Sequence, residues 1–346
     1  MTLIAGFHSY GTPVLIGDFL LSTAGTPSGV RKKILRIADN FVLGWTGALV
    51  AAQSVITSLE LHLDIDKVTL NSVKTVLTNS ATSNLGLGLE VMLVCWVIDQ
   101  NGHHCFLWNS LYPSELFLGD PQFAGSGESF VAAYVGAEGL KEFAPSGSAP
   151  PDPTSGALSV VTELMKAELV GPSTRPMGFG FAYEILQLKE GSRFEYVDDI
   201  LYLSLTCTLD QSGQYQAARI TGPVYKYEAD GNLATVFIYD PASRKIDVHA
   251  VTPPGGTVPE QITSRLTQRY CDPQFSFPFQ SRYYYFVLQF EILGASDQNM
   301  ACVLSTSGKE DSCCAINASH KNTIEITISR EMCEQVYRTI KKDSNR

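Results

Sequence analysis

The sequence predicts an α+β fold, a sandwich of helices and antiparallel sheets continuing into an all-β C-terminal region. Three observations carry that prediction. Segments of one type come in runs, strands then two helices then strands then two helices then strands, unlike the strict alternation of a doubly wound parallel sheet. From about residue 210 helical spacing gives way to short apolar runs separated by turn signals. The chain has 346 residues, 45% of them hydrophobic, which is ample for a buried core and suits two structural units of about 100–200 residues each.

The elements follow in order. Leu3–Phe7 and Val14–Ser22 are apolar runs around Gly11-Thr12-Pro13, the pattern of a hairpin. Lys33–Ile37 and Phe41–Trp45 form a second hairpin around Ala38-Asp39-Asn40. Helical spacing covers Ala48–Leu63 and Leu70–Ser80, the second capped by Thr69 or Asn71. Strands return at Leu89–Asp99 and Cys105–Asn109 across the turn Gln100-Asn101-Gly102. The next helix pair is Phe130–Phe143 and Gly156–Leu169, joined by the Pro/Ser/Gly-rich stretch Ala144–Pro153. Gly180–Lys189, Phe194–Val197 and Leu201–Leu209 read as strands. Turns at Gln211-Ser212-Gly213 and Ala229-Asp230-Gly231-Asn232 then space candidate strands at Leu233–Tyr239, Lys245–Ala250, Tyr283–Leu293 and Thr323–Ile328. An amphipathic helix, Glu331–Lys342, closes the chain.

Charge excludes some function classes. Lys and Arg number 25 against 35 Asp and Glu, for a net charge of −10. No basic field exists to displace counterions from nucleic acid or to hold an anionic membrane. Only 17% of residues are charged, below the average of about 25%, which suits surface buried in an oligomer. No apolar run reaches the roughly 18–20 residues of a membrane helix, and the N-terminus lacks the pattern of a secretory signal, so a cytoplasmic protein is expected. The eight cysteines read as core thiols, without CxxC or HExxH spacing. Cys313-Cys314 and His103-His104-Cys105 read as core or loop residues, so no metal is expected.

Thr2 follows Met1 directly, and an initiator Met before a small residue is ordinarily removed. Its loss would put a hydroxyl and a free α-amine on one residue. With a pKa near 7.7–8.0, that amine is partly neutral at physiological pH and can accept the hydroxyl proton, so one residue supplies nucleophile and base. Further segments follow in a set order: Thr2-Leu3-Ile4-Ala5-Gly6, Val14-Leu15-Ile16-Gly17-Asp18, Arg31-Lys32-Lys33-Ile34-Leu35-Arg36-Ile37, Val42-Leu43-Gly44-Trp45-Thr46-Gly47-Ala48, a helix with Gln53 in its first turns, and Ala124-Gly125-Ser126-Gly127. In this order and spacing the first 205 or so residues resemble the N-terminal nucleophile (Ntn) hydrolases of the proteasome β-subunit type, which include a bacterial ring-forming peptidase that works with an ATPase.

The resemblance implies a four-layer αββα sandwich over residues 1–205; residues 206–346 lie outside it and read as a β-rich extension of unknown role. It makes Thr2 the nucleophile, Asp18 and Lys33 the charged pair beside it, Gly47 the oxyanion donor through its backbone N–H, and Ser126 the partner of the N-terminal amine. A cation near the hydroxyl lowers its pKa and stabilises an alkoxide. Lys32 is the alternative to Lys33, and strand alternation predicts that only one of the two faces inward. Ser126 reads equally as a helix cap. Ser22 and Leu49 lie at positions that grip an extended peptide by β-augmentation. Trp45 either floors a shallow specificity pocket or belongs to the core. One departure stands out: Gly171–Pro176 lacks the family's second acid, leaving Ser173 or Glu168 to replace it. A threonine peptidase acting on peptides or unfolded protein is therefore expected, without cofactor, in a homo-oligomeric ring or stack, with an ATPase as a conceivable partner. An inactive scaffold and a small-molecule amidase are the alternatives, and a retained Met1 would block the amine.

Overall fold

A computed structural model describes residues 2–23, 26–85, 88–136, 152–169, 174–190, 193–264, 277, 279–293, 298–306, 314–318, 324–331, 333–334 and 337–338. Two five-stranded sheets face each other. The first has the order β10-β1-β2-β11-β12, built from β1 (Leu3–Ser9), β2 (Thr12–Asp18), β10 (Gln122–Gly125), β11 (Tyr183–Lys189) and β12 (Arg193–Tyr196). The second has the order β5-β6-β7-β8-β9, from β5 (Ile34–Ala38), β6 (Phe41–Gly47), β7 (Val91–Asp99), β8 (Gly102–Asn109) and β9 (Phe117–Leu118). β3 (Leu20–Thr23) and β4 (Thr26–Val30) pair as a small separate hairpin, lying between β2 and β5 in the chain.

Alternation along the strands sorts the side chains. In β1 and β2, Ile4 and Leu15 join Ile34, Val42, Val94 and Trp96 in the layer between the two sheets. Their neighbours Leu3, Ala5, Phe7, Val14 and Ile16 face the other way. That period of two is what a strand buried on both faces requires. Helices α1 (Leu49–His62) and α2 (Leu70–Leu85) cover the outer face of the second sheet through Ala52, Val55, Leu59, Val73 and Leu77.

The expected αββα four-layer sandwich is not what the chain forms. Antiparallel sheet dominates the described residues, with 21 strands against four α-helices. The physical reason lies on the far side of the first sheet. Helix α4 (Pro153–Leu169) packs there, but it is not an outer layer. The same core that joins α4 to β1, β2 and β11 continues into Tyr202, Tyr225, Tyr227, Val236, Tyr285 and Val287. These belong to a third, seven-stranded sheet of order β17-β16-β15-β13-β18-β19, with β14 beside β13. Its strands are β13 (Ile200–Leu209), β14 (Tyr215–Ile220), β15 (Val224–Asp230), β16 (Leu233–Asp240), β17 (Lys245–Val251), β18 (Tyr283–Ile292) and β19 (Gln298–Thr306). β20 (Cys314–Ala318) and β21 (Ile324–Ile328) pair as a separate hairpin.

β13 pairs with β18 in parallel along ten residues each, and the division expected at residues 205–206 falls inside β13. The opposite face of this sheet buries Leu203, Leu205, Phe286 and Phe290 against Phe277, Phe279 and Cys333. Strands β14, β15, β19 and β20 carry no separate sequence prediction. Of the helix expected at Phe130–Phe143, the described residues hold α3 (Glu128–Ala132), after which Tyr134 and Val135 donate to Val131 O; residues 137–151 lie outside the described set. Of Glu331–Lys342, residues 331, 333, 334, 337 and 338 are described, all helical. Cys95, Cys105, Cys207 and Cys333 are buried, while Cys313 falls outside the described residues.

Candidate functional site

Thr2 precedes β1 and is almost wholly buried, at 2% exposure. Its hydroxyl donates to Asp18 Oδ1 and accepts from Lys33 Nζ, so Oγ1 sits between an acid and an amine. Asp18 ends β2, where the strand leaves its carboxylate against the start of β1: Oδ1 also accepts the Leu3 N–H at 3.0 Å. Lys33 Nζ lies 3.1 Å from Asp18 Oδ1 and donates to Leu20 O at 2.5 Å. Burial pulls the Lys33 ammonium below the usual lysine range, against the opposing attraction of Asp18. A buried amine with a weakened hold on its proton therefore touches the hydroxyl oxygen.

Backbone donors complete the carboxylate. Gly180 N–H donates to Asp18 Oδ2 at 2.9 Å, and this position needs glycine. Its φ is +118°, and a Cβ there would lie 2.1 Å from Glu168 Oε1. Glu168 accepts from the Thr174 hydroxyl and from Arg175 Nε at 3.3 Å. Glu168 thus supports the turn carrying Gly180. Ser173 lies outside the described residues.

The other expected residues divide. Ser126 Oγ donates to Thr2 O at 3.4 Å, beside Gly127 N–H on the same oxygen at 3.2 Å. It therefore meets the carbonyl of Thr2. Gly47 closes β6 at an exposed position with φ +108°, and Ala48 N–H donates to Glu90 O at 2.9 Å before α1 begins. Trp45 is buried among the residues under α1 and α2. Its indole N–H donates to Lys32 O at 3.0 Å, and its ring centroid lies 5.9 Å from Lys33 Nζ. Leu49 opens α1 and packs against the same core. Ser22, in β3, donates to Gly178 O at 3.4 Å. Met1 lies outside the described residues.

The expectation that only one of Lys32 and Lys33 faces inward is corrected: both are buried, at 0% and 1% exposure. Residues 31–33 form a bridge between β4 and β5 that is not strand, so alternation does not govern them. Lys33 reaches Thr2 and Asp18. Lys32 turns to Glu184, with which it forms a buried ion pair, and sits 3.9 Å from the centroid of the Tyr196 ring. Tyr227 OH donates to Glu184 Oε1 at 2.6 Å. Desolvation lowers the Lys32 pKa and raises that of Glu184. Sequence reasoning missed this cluster, although a glutamate inside the apolar run Phe179–Leu188 was a visible signal.

His103, His104 and Cys105 separate. His103 stacks on His8 at 6.1 Å, His104 bonds Asp99 Oδ1 at 3.1 Å, and Cys105 is buried. Among the described residues no group of three or more His, Cys, Asp or Glu side chains converges as a metal site. Nor is any helix among them long and apolar enough to cross a membrane. No family model and no curated protein matches this chain.

Proposed function

We propose that the chain is an N-terminal-nucleophile hydrolase that cleaves peptide bonds through Thr2. The observation carrying this reading is the placement of Thr2 Oγ1 between Asp18 and a buried Lys33. Once the bond before Thr2 is cut, its α-amine takes the hydroxyl proton and Oγ1 attacks a peptide carbonyl. Lys33 stabilises the developing oxyanion on Oγ1, and Asp18 fixes Lys33. Gly47 N–H, at the exposed end of β6, holds the carbonyl oxygen in the tetrahedral intermediate. The amine then returns its proton to the leaving group, leaving an ester on Thr2 that water hydrolyses. Ser22 and Leu49 guide an extended peptide, in a cytoplasmic homo-oligomer of ring or stack form. The sequence resemblance to proteasome-type subunits supports the same chemistry.

Thr2→Ala is expected to abolish hydrolysis of fluorogenic acyl-peptides, a loss of at least about 10³-fold, with circular dichroism unchanged. Undiminished turnover in that variant overturns the proposal. An inactive scaffold is the second reading, favoured by the near-complete burial of Thr2. Intact-mass measurement separates the two: a chain beginning at Thr2 keeps catalysis open, whereas Met1 retained throughout leaves the scaffold.

A further inference from the structure

We propose that the seven-stranded C-terminal sheet positions Lys33, acting through the bridge of residues 31–33 and the start of β5, with Glu184, Tyr227 and Asn232 as positioning residues. The inference rests on the reading of Thr2 and Lys33 above. It starts from how that bridge is held.

Residues 31–33 have no strand partner, so their backbone groups bond elsewhere. Arg31 N–H donates to Phe19 O at 2.9 Å, but Lys32 N–H donates to Thr252 O, just beyond β17, at 3.0 Å. On the other side Trp45 donates to both carbonyls, its indole N–H to Lys32 O and its backbone N–H to Lys33 O, each at 3.0 Å. The Lys32 side chain reaches the third sheet as well, with Nζ 3.4 Å from Leu233 O and its Glu184 partner held by Tyr227 OH. Just past the bridge, in β5, Arg36 is bracketed by Asn232 of the β15–β16 turn. Asn232 Oδ1 accepts Arg36 N–H at 3.3 Å and its Nδ2 donates to Arg36 O at 3.2 Å. A side-chain amide thus occupies the place of a further strand along the edge of β5. Tyr196 OH donates to the same Oδ1 at 2.9 Å.

Lys32 and Lys33 are adjacent and point to opposite anchors. Lys33 faces Asp18, Thr2 Oγ1, Leu20 O and the Trp45 ring. Lys32 faces Glu184 and the Tyr196 ring, with the charge of Asp198 acting on it as well. Moving either lysine moves the shared peptide. The third sheet therefore bears on the amine at Thr2 without touching it.

The test uses the full chain, Tyr227→Phe and Asn232→Ala. Lysines carry ¹³C at Cε, and the Lys33 signal is identified by its loss in Lys33→Arg. A loosened bridge lets water reach Lys33, so both variants are expected to raise its titration midpoint toward the ordinary lysine range. With peptide substrate they lower kcat by about tenfold or more at unchanged KM. A merely structural role lowers the melting temperature and leaves the midpoint in place, and an unmoved midpoint in a folded variant overturns the proposal. If Tyr227→Phe does not fold, Asn232→Ala decides alone. A midpoint that moves in a chain without hydrolytic activity upholds the positioning and removes the hydrolase reading. Active wild type with an unmoved midpoint does the reverse.

Discussion

Lys33 combines an attractive carboxylate with a site that excludes water, and burial is the larger influence on its proton. The consequence for stability has a definite sign. An unfolded lysine titrates near 10.4, and the folded one titrates lower. Between the two values the unfolded chain binds more protons, so stability rises with pH across that window. Lys32 acts in the same direction. Glu184 acts oppositely, because its raised pKa makes the folded chain the better proton binder just above the ordinary glutamate range. Urea denaturation from pH 7 to 10.5 is expected to show a stability increase that flattens in Lys33→Met. An equal slope in both proteins contradicts the burial argument.

At the scale of elements, the Lys32–Glu184 pair ties the bridge before β5 to β11. Lys32→Met alone leaves a carboxylate stranded beside Tyr227, and is expected to cost about 3–5 kcal/mol. Lys32→Met combined with Glu184→Leu removes both charges and is expected to recover most of that loss in chemical denaturation. This pair also shows what the sequence made legible. The hairpins of β1 with β2 and of β5 with β6, and helices α1 and α2, follow from local period and turn residues, which need no distant partner. Thr2, Asp18, Lys33 and Ser126 could be named because each stands in a short ordered motif. The inward turn of Lys32 could not, since it depends on Thr252 and Leu233, about 200 residues away. The Gly180 donor to Asp18 was hidden similarly, in a turn whose meaning depends on Glu168. The layer order failed for the same cause: α4 has an ordinary helical pattern, and only the tyrosines of β13, β15 and β18 reveal that its outer side is covered too.

For the whole molecule, one core runs from Leu3 through α4 to Val287, joining what length alone divided into two units. A single calorimetric transition is therefore expected, and a chain ending at residue 205 is expected to lack cooperative unfolding because it severs β13. Two separate transitions in the intact protein contradict this. The parallel pairing of β13 with β18 has a consequence for how the chain is made. Thr208 and its partner Glu291 are 83 residues apart, which at about 5–20 residues per second corresponds to roughly 4–17 s of translation. During that interval β13 leaves the ribosome with its β18 edge open and Leu203 and Leu205 uncovered, a template for pairing with other nascent chains. Slower elongation between residues 210 and 292 prolongs that exposure, so soluble yield depends on the pace of synthesis as well as on the stability of the finished fold.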